Sequence, residues 1–209
     1  EILSGLVGSE MCIRDSGISP VDARRDGGPL RTQPTLRFRL SVEGSTQMDV
    51  TITTTPELVL VGHAARVPLI HEGANPHIQA HIASIAPEEH LRLKAMSDAE
   101  PGGILAVTGD VAPDAPEGTE LTYLHGVSVS ASTVVPDDLD AIRVEAGAWA
   151  VFSASGPFPE TLQTLWAATA TEWFPSNPWR LRPGPSIVRY LEFTGSHASC
   201  ELWLAVEPA

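Results

Sequence analysis

Apolar positions change their period twice between Asp140 and Phe193. Ile142, Val144, Ala148, Ala150 and Phe152 alternate with their neighbours around a break at Gly147, the period of two expected of a strand pair. Gly156-Pro157 and Pro159 end that run. From Glu160 the spacing becomes three and four: Leu162, Leu165, Trp166, Thr169 and Trp173 share one helix face, and Ala167, Ala168 and Ala170 favour helix. Pro175, Pro178, Pro183 and Pro185 then exclude helix and predict a loop, after which Ile187 to Phe193 alternates again.

The first half repeats this logic. VTITTTPELVLVGHAARVP (Val50–Pro68) and AIRVEAGAWAVFSASGPF (Ala141–Phe158) both give a β-rich run, a break, an apolar strand with a small-residue end, and a proline. A helix follows from Ile78 to about Ala95, carried by Ile78, Ile82, Ile85, Leu91 and Leu93 and interrupted at Pro87. Ile104–Thr108 and Leu121–Ser130 are strand-like, separated by the Pro/Gly/acid loop Asp110–Gly118. Two βαββ units of ~75 residues are a duplication, too long for a solenoid period. They predict an α+β fold: one antiparallel sheet with two helices packed on a face, and a cleft where the halves meet.

Composition narrows the picture. No apolar run approaches the ~18–20 residues of a membrane span. From Val50 onward there are 7 Lys and Arg against 19 Asp and Glu, a body whose field repels nucleic acid. Met11–Ser16, MCIRDS, looks like a translated transposon end from library preparation, so Glu1–Ser16 is expected to belong to no core. The competing reading, a signal peptide, lacks a basic leader and has Arg14-Asp15 where small residues should precede cleavage. Setting Cys12 aside leaves Cys200 alone, which fits a reducing cytosol.

Candidate chemistry is sparse. His77 and His81 lie four apart on the predicted helix, with His71, Glu72 and His90 nearby, but a Glu-x-x-His or cysteine pattern is missing, so no metal is expected. His197 and Cys200 sit at a hairpin turn and its outgoing strand without a third orienting group. There is no G-x-S-x-G, no phosphate-cradling glycine loop and no C-x-x-C. The expectation is a protein that is not an enzyme, with no catalytic residues and no cofactor. The aromatics carry more signal: Trp149, Trp166, Trp173, Trp179 and Trp203 all lie in the second half, beside Tyr190. Some of them must pack the core. Flat rings lining a cleft would also bind planar or lipophilic guests.

The segments GAWAVFSASGPF, the helix, EWFPSNPW and PSIVRYLEF, in this order, resemble the GyrI-like effector-binding domain, which also ends many AraC-type transcriptional regulators. The family pattern is roughly G-(T/S)-Y-A-V-F…G, helix, W-(L/F)-P-x-S, then F-E-x-Y, and the likeness runs from about Met48 to Val206. It implies that residues 48–209 bind a hydrophobic small molecule between the halves, through Trp149, Val188, Tyr190, Trp166, Trp173, Tyr123, Trp203 and Glu201. One departure stands out. Where the family places a buried glutamate, this chain has Val188, which disfavours cationic ligands unless Glu201, Glu172 or Glu145 stands in.

Gly17–Arg25, GISPVDARR, resembles the tail of an AraC-type helix-turn-helix domain, commonly G-x-S-P-x-x-Y-R, with Ala23 in place of the aromatic. Residues 17–47 therefore read as the end of such a domain plus a connector, and the chain as a cytoplasmic regulator missing its DNA-binding part. DNA would be contacted only through that part. The alternative is a stand-alone GyrI-like protein, a hydrolase of reactive small molecules or a topoisomerase inhibitor. The sequence does not set an oligomeric state.

Overall fold

The computed structural model describes residues 48–112 and 115–209; the adaptor-like segment 1–16 and the expected connector 17–47 lie outside the described residues. The first half contains β1 (Asp49–Thr55), β2 (Leu58–Pro68), α1 (Pro76–Ser84), α2 (Pro87–Met96), β3 (Leu105–Gly109) and β4 (Glu120–Ser130). The second contains β5 (Asp140–Val144), β6 (Gly147–Pro157), α3 (Glu160–Ala168), β7 (Trp179–Leu181), β8 (Ser186–Phe193) and β9 (His197–Pro208). The last turns of α3 widen into a π turn, Thr169–Trp173, before the short α4 (Phe174–Ser176). None of the described helices is long and apolar enough to cross a membrane.

Local chemistry sets the helix ends. Asn75 caps α1, its side-chain oxygen accepting from the amides of His77 at 3.0 Å and Ile78 at 3.4 Å, with Pro76 preset for the first turn. Pro87 cannot continue α1 but can open α2, so the interruption expected there becomes two helices. Glu88 and Glu89 begin α2 and Lys94 lies in its last turn, each charge opposing the local helix dipole. Asn177 ends the second-half helix by donating to the Trp173 carbonyl at 2.8 Å.

The nine strands of the described residues join one antiparallel sheet in the order β1-β6-β9-β8-β3-β4-β2-β5, with β7 also paired to β9. The order is a palindrome about the β3–β8 contact, and the register obeys it. The pair Leu58–Val144 recurs as Gly147–Thr55, and Leu105–Arg189 recurs as Ile187–Val107. The halves are thus related by a pseudo-twofold axis. Each also lends its first strand to the other: β1 pairs with β6, and β5 with β2. Short β7 was not expected inside the proline-rich loop. Pro178 and Pro183 flank it rather than interrupt it, so its backbone donors remain free to pair.

The sheet has two different faces. One carries the helices: Leu165 and Trp173 pack on Phe152, Val188, Cys200 and Leu202 in the second half, and Leu93 packs on Val59, Val61 and Val127 in the first. The other carries a continuous core drawn from both halves, including Leu58, Leu60, Leu105, Val107, Trp149, Ile187 and Trp203. Strand β6 is consequently buried on both sides from Trp149 to Phe152.

Candidate functional site

At the axis, Ala106 of β3 pairs with Val188 of β8 on the helix-bearing face. Val188, 7% exposed, packs with the second-half cluster under α3. Ala106 touches that cluster and also the first-half cluster of Val67, Leu121 and Tyr123. A floor therefore runs from Tyr123 through Ala106 and Val188 to Tyr190, apolar except for its two phenols.

Aromatic rings border this floor. Tyr190 meets Phe158 edge-on at 6.0 Å between centroids and Phe193 at 5.6 Å, and Phe158 and Phe193 lie 5.1 Å apart. Strict alternation would send Phe193 to the opposite face from Tyr190. A bulge between Tyr190 and Glu192 resets the register and returns Phe193 to the same side, 55% exposed at the rim. At the other end the His81 ring stands edge-on to Tyr123 at 6.0 Å. On the helix side Trp173 meets Phe152 edge-on at 5.0 Å, and Trp166 is half-buried against the same cluster.

The floor stays uncharged at neutral pH. Burial first, then the neighbouring Cys200, pushes the Tyr190 phenol up to about 12. Burial and then Tyr190 hold the Tyr123 phenol well above its usual range. Burial, then Glu201, likewise raises the Cys200 thiol.

Of the residues expected to bind ligand, Val188, Tyr190, Tyr123, Trp166 and Trp173 share the helix-bearing face. Trp149, Trp203 and Glu201 lie on the opposite face, so the eight residues do not line one surface. Ala148, Ala150 and Phe152 occupy the helix-bearing side of β6, so alternation sends Trp149 to the other. There its indole donates to Thr55 Oγ1 at 2.9 Å, Trp203 stacks edge-on at 6.2 Å, and the Arg182 guanidinium lies 5.3 Å above its ring. Glu201 accepts from the Trp203 indole at 3.0 Å and pairs with Arg189 at 3.6 Å, so it cannot replace an acid at Val188. Glu172 is exposed on the π turn, and Glu145 is exposed at the β5–β6 turn.

Hollows open elsewhere on the described surface. One, about 310 Å³, is lined by His63, His81, Ser84, Ile85, Ala86, Glu89 and Asp138. Another, about 340 Å³, lies around Pro56, Leu58 and Asp98–Glu100. Neither is lined by Tyr123, Val188 or Tyr190.

The histidine expectation also changes. His71, Glu72 and His77 are exposed, and among the described residues no three His, Cys, Asp or Glu side chains are grouped to hold a metal ion. His81 and His90 turn instead toward His63 and His125 of the sheet, two residues the helix spacing gave no reason to consider. His197 is exposed beside Ser155 while Cys200 is buried, so the two do not act together.

The sequence profile of the GyrI-like small-molecule-binding domain matches residues 48–207. The chain belongs to the GyrI-like family. Among curated proteins none matches by sequence. Solved structures share this fold at low identity. SAV2435 bound to tetraphenylphosphonium is 18% identical with a TM-score of 0.54, over 77% of this chain and 94% of that one. The C-terminal domain of EcmrR is 14% identical with a TM-score of 0.52, over 78% and 99%. In a complex of EcmrR with DNA the TM-score is 0.53 at 14% identity, and the matched region spans 58% of the EcmrR chain.

Proposed function

We propose that this GyrI-like domain senses an uncharged, hydrophobic small molecule over the Tyr123–Ala106–Val188–Tyr190 floor, as the effector-binding part of an AraC-type transcriptional regulator acting in the cytoplasm. The observation that carries the reading is the floor itself: apolar at the axis, bordered by rings, with phenols and a thiol held neutral. A lipophilic cation placed there would find no carboxylate at Val188, and an unpaired charge in a buried site is costly. SAV2435, which shares this fold, was solved bound to such a cation, and on this reading Val188 turns the present chain toward neutral guests. The role in this reading is binding: the floor itself carries apolar groups, two phenols and a thiol, all held neutral. The regulator assignment rests on the GISPVDARR segment ahead of the domain and on the likeness to EcmrR, solved with DNA. DNA contact belongs to the part preceding it, because an acidic body does not attract phosphates.

The test is a pair of titrations read by tryptophan fluorescence: a neutral polycyclic aromatic against tetraphenylphosphonium. The neutral probe is expected to bind about tenfold tighter or better. Tighter binding of the cation would sink the reading. Sequencing upstream of the segment encoding Gly17 tests the regulator assignment separately, and a start codon there without a helix-turn-helix would end it.

A further inference from the structure

Under the pseudo-twofold axis each turn of one half has a counterpart in the other. The sheet register makes Pro56, Glu57 and Leu58 the equivalents of Glu145, Ala146 and Gly147, and Leu60 and Ser128 those of Trp149 and Ala205. The match of Leu105 to Ile187 then sets Glu100-Pro101-Gly102 against Arg182-Pro183-Gly184. At this place the second half holds a guanidinium of its own. Arg182 lies 5.3 Å over the Trp149 ring and donates to the Glu145 carbonyl at 3.4 Å. It runs so close to Gly147 that a Cβ there would meet its Nε at 2.9 Å.

The first half has neither the arginine nor the glycine. Leu58 fills part of the space, and beside it opens the hollow of about 340 Å³ around Thr54–Leu58, Asp98–Glu100 and Ser130. Apolar Pro56, Leu58 and Ala99 line it together with three exposed carboxylates, Glu57, Asp98 and Glu100. Their charge is only partly met. Glu57 stands 3.6 Å from Arg143, and Glu100 stands 3.5 Å from Arg189, which is shared with Glu201. Asp98 accepts from the Ser130 amide at 2.6 Å. A second, independent feature lies one step inward on the same face of β4. Ser128 is fully buried, and its hydroxyl has no hydrogen-bond partner among the described residues. The second half uses Ala205 there, so the fold itself needs no polar group at this point. Asp98 and Ala99 lie against the same residue, their amides donating to the Ser128 carbonyl at 3.3 Å.

We propose that this hollow is a second small-molecule site, which takes a guanidinium on a short aliphatic stem at the place where the other half has Arg182 built in. A planar fork of N–H donors suits the Glu57 and Glu100 carboxylates, the stem suits Pro56 and Leu58, and the Ser128 hydroxyl is the inner acceptor. The acidic body draws such a guest in and turns away one that carries a carboxylate. The site is separate from the floor, since Tyr123, Val188 and Tyr190 do not line it.

The test is an amide NMR titration of the full chain with butylguanidinium, repeated with butylammonium. Saturable shifts are expected at residues 54–58, 98–100 and 128–130, with the ammonium about fivefold weaker or more because it lacks the fork. Glu100→Arg copies the second half and is expected to weaken binding about tenfold or more, while the neutral aromatic probe keeps its affinity for the floor within about twofold. Glu100→Gln serves if the arginine disturbs the loop. Ser128→Ala, also copied from the second half, is expected to weaken binding about threefold. Absence of saturable shifts, shifts gathered on the Tyr123–Tyr190 floor, equal affinity for the two probes, or parent-like affinity in both Glu100 variants would each overturn the site.

Discussion

Ala106 and Val188 are partners in the central pairing of the sheet, and each is the other's equivalent under the pseudo-twofold axis. The floor at the axis is therefore built from one small and one medium apolar side chain, and any group placed there is shared by both halves.

A glutamate at Val188 would test this directly. Val188→Glu buries a carboxyl among apolar neighbours and is expected to cost about 2–4 kcal/mol at pH 7 in urea unfolding, less at about pH 4 where the acid protonates. Tetraphenylphosphonium is expected to restore part of the loss in the variant and to do nothing for the parent. A variant as stable as the parent at pH 7 would show that the position is open to water.

The helix-free face should behave independently. Thr55→Val removes the acceptor of the buried Trp149 indole N–H and is expected to destabilise by about 1–3 kcal/mol. Affinity for the neutral aromatic probe is expected to stay within about twofold of the parent, because Trp149 does not face the floor. A large affinity loss with little loss of stability would return Trp149 to the binding site.

The chain has two tyrosines, both on the floor, so its alkaline absorbance titration reads the floor alone. Both phenols are raised above the ordinary 10, Tyr190 to about 12. Folded protein is expected to show almost no tyrosinate at pH 10.5, and protein in urea about half or more. Because the folded state favours the neutral phenol, that stabilisation is complete below pH 10 and is lost as pH rises toward 12. Two ordinary titrations in the folded protein would mean the floor is wet.

Backbone proximity makes a fourth prediction. Gly62 and Gly126 pair across β2 and β4, and a Cβ on Gly126 would run into the Val61 carbonyl and the Leu124 side chain. Gly126→Ala is expected to cost about 2 kcal/mol or more, by thermal or urea unfolding, since partner backbone cannot step aside. A neutral effect would mean the strands separate there without penalty.

The duplication and the layer order were legible because they rest on long-range periodicity: two matched strand-break-strand runs, each followed by a helix pattern. The sidedness of the aromatics was not. Family analogy placed Trp149 in the cleft, whereas β6 is buried on both faces and its alternation sends Trp149 away from Val188. Phe193 was missed because one bulged residue reverses the parity on which strand reading depends. The turning of His81 and His90 toward His63 and His125 was within reach. Aligning the two repeats sets His63 against Phe152, a polar residue where the other half uses apolar bulk, and that mismatch was the signal. Its partner His125 lies in a strand whose counterpart emerges only from the pairing itself.

The exchanged strands have one more consequence. Each half's outer pairing is made with a segment belonging to the other, so a single half cut free lacks an edge that it cannot supply from its own chain. Two identical copies of one half, with no covalent link, would nonetheless contain every type of pairing the sheet uses. The architecture is that of two like halves with reciprocally traded arms, carried on one chain.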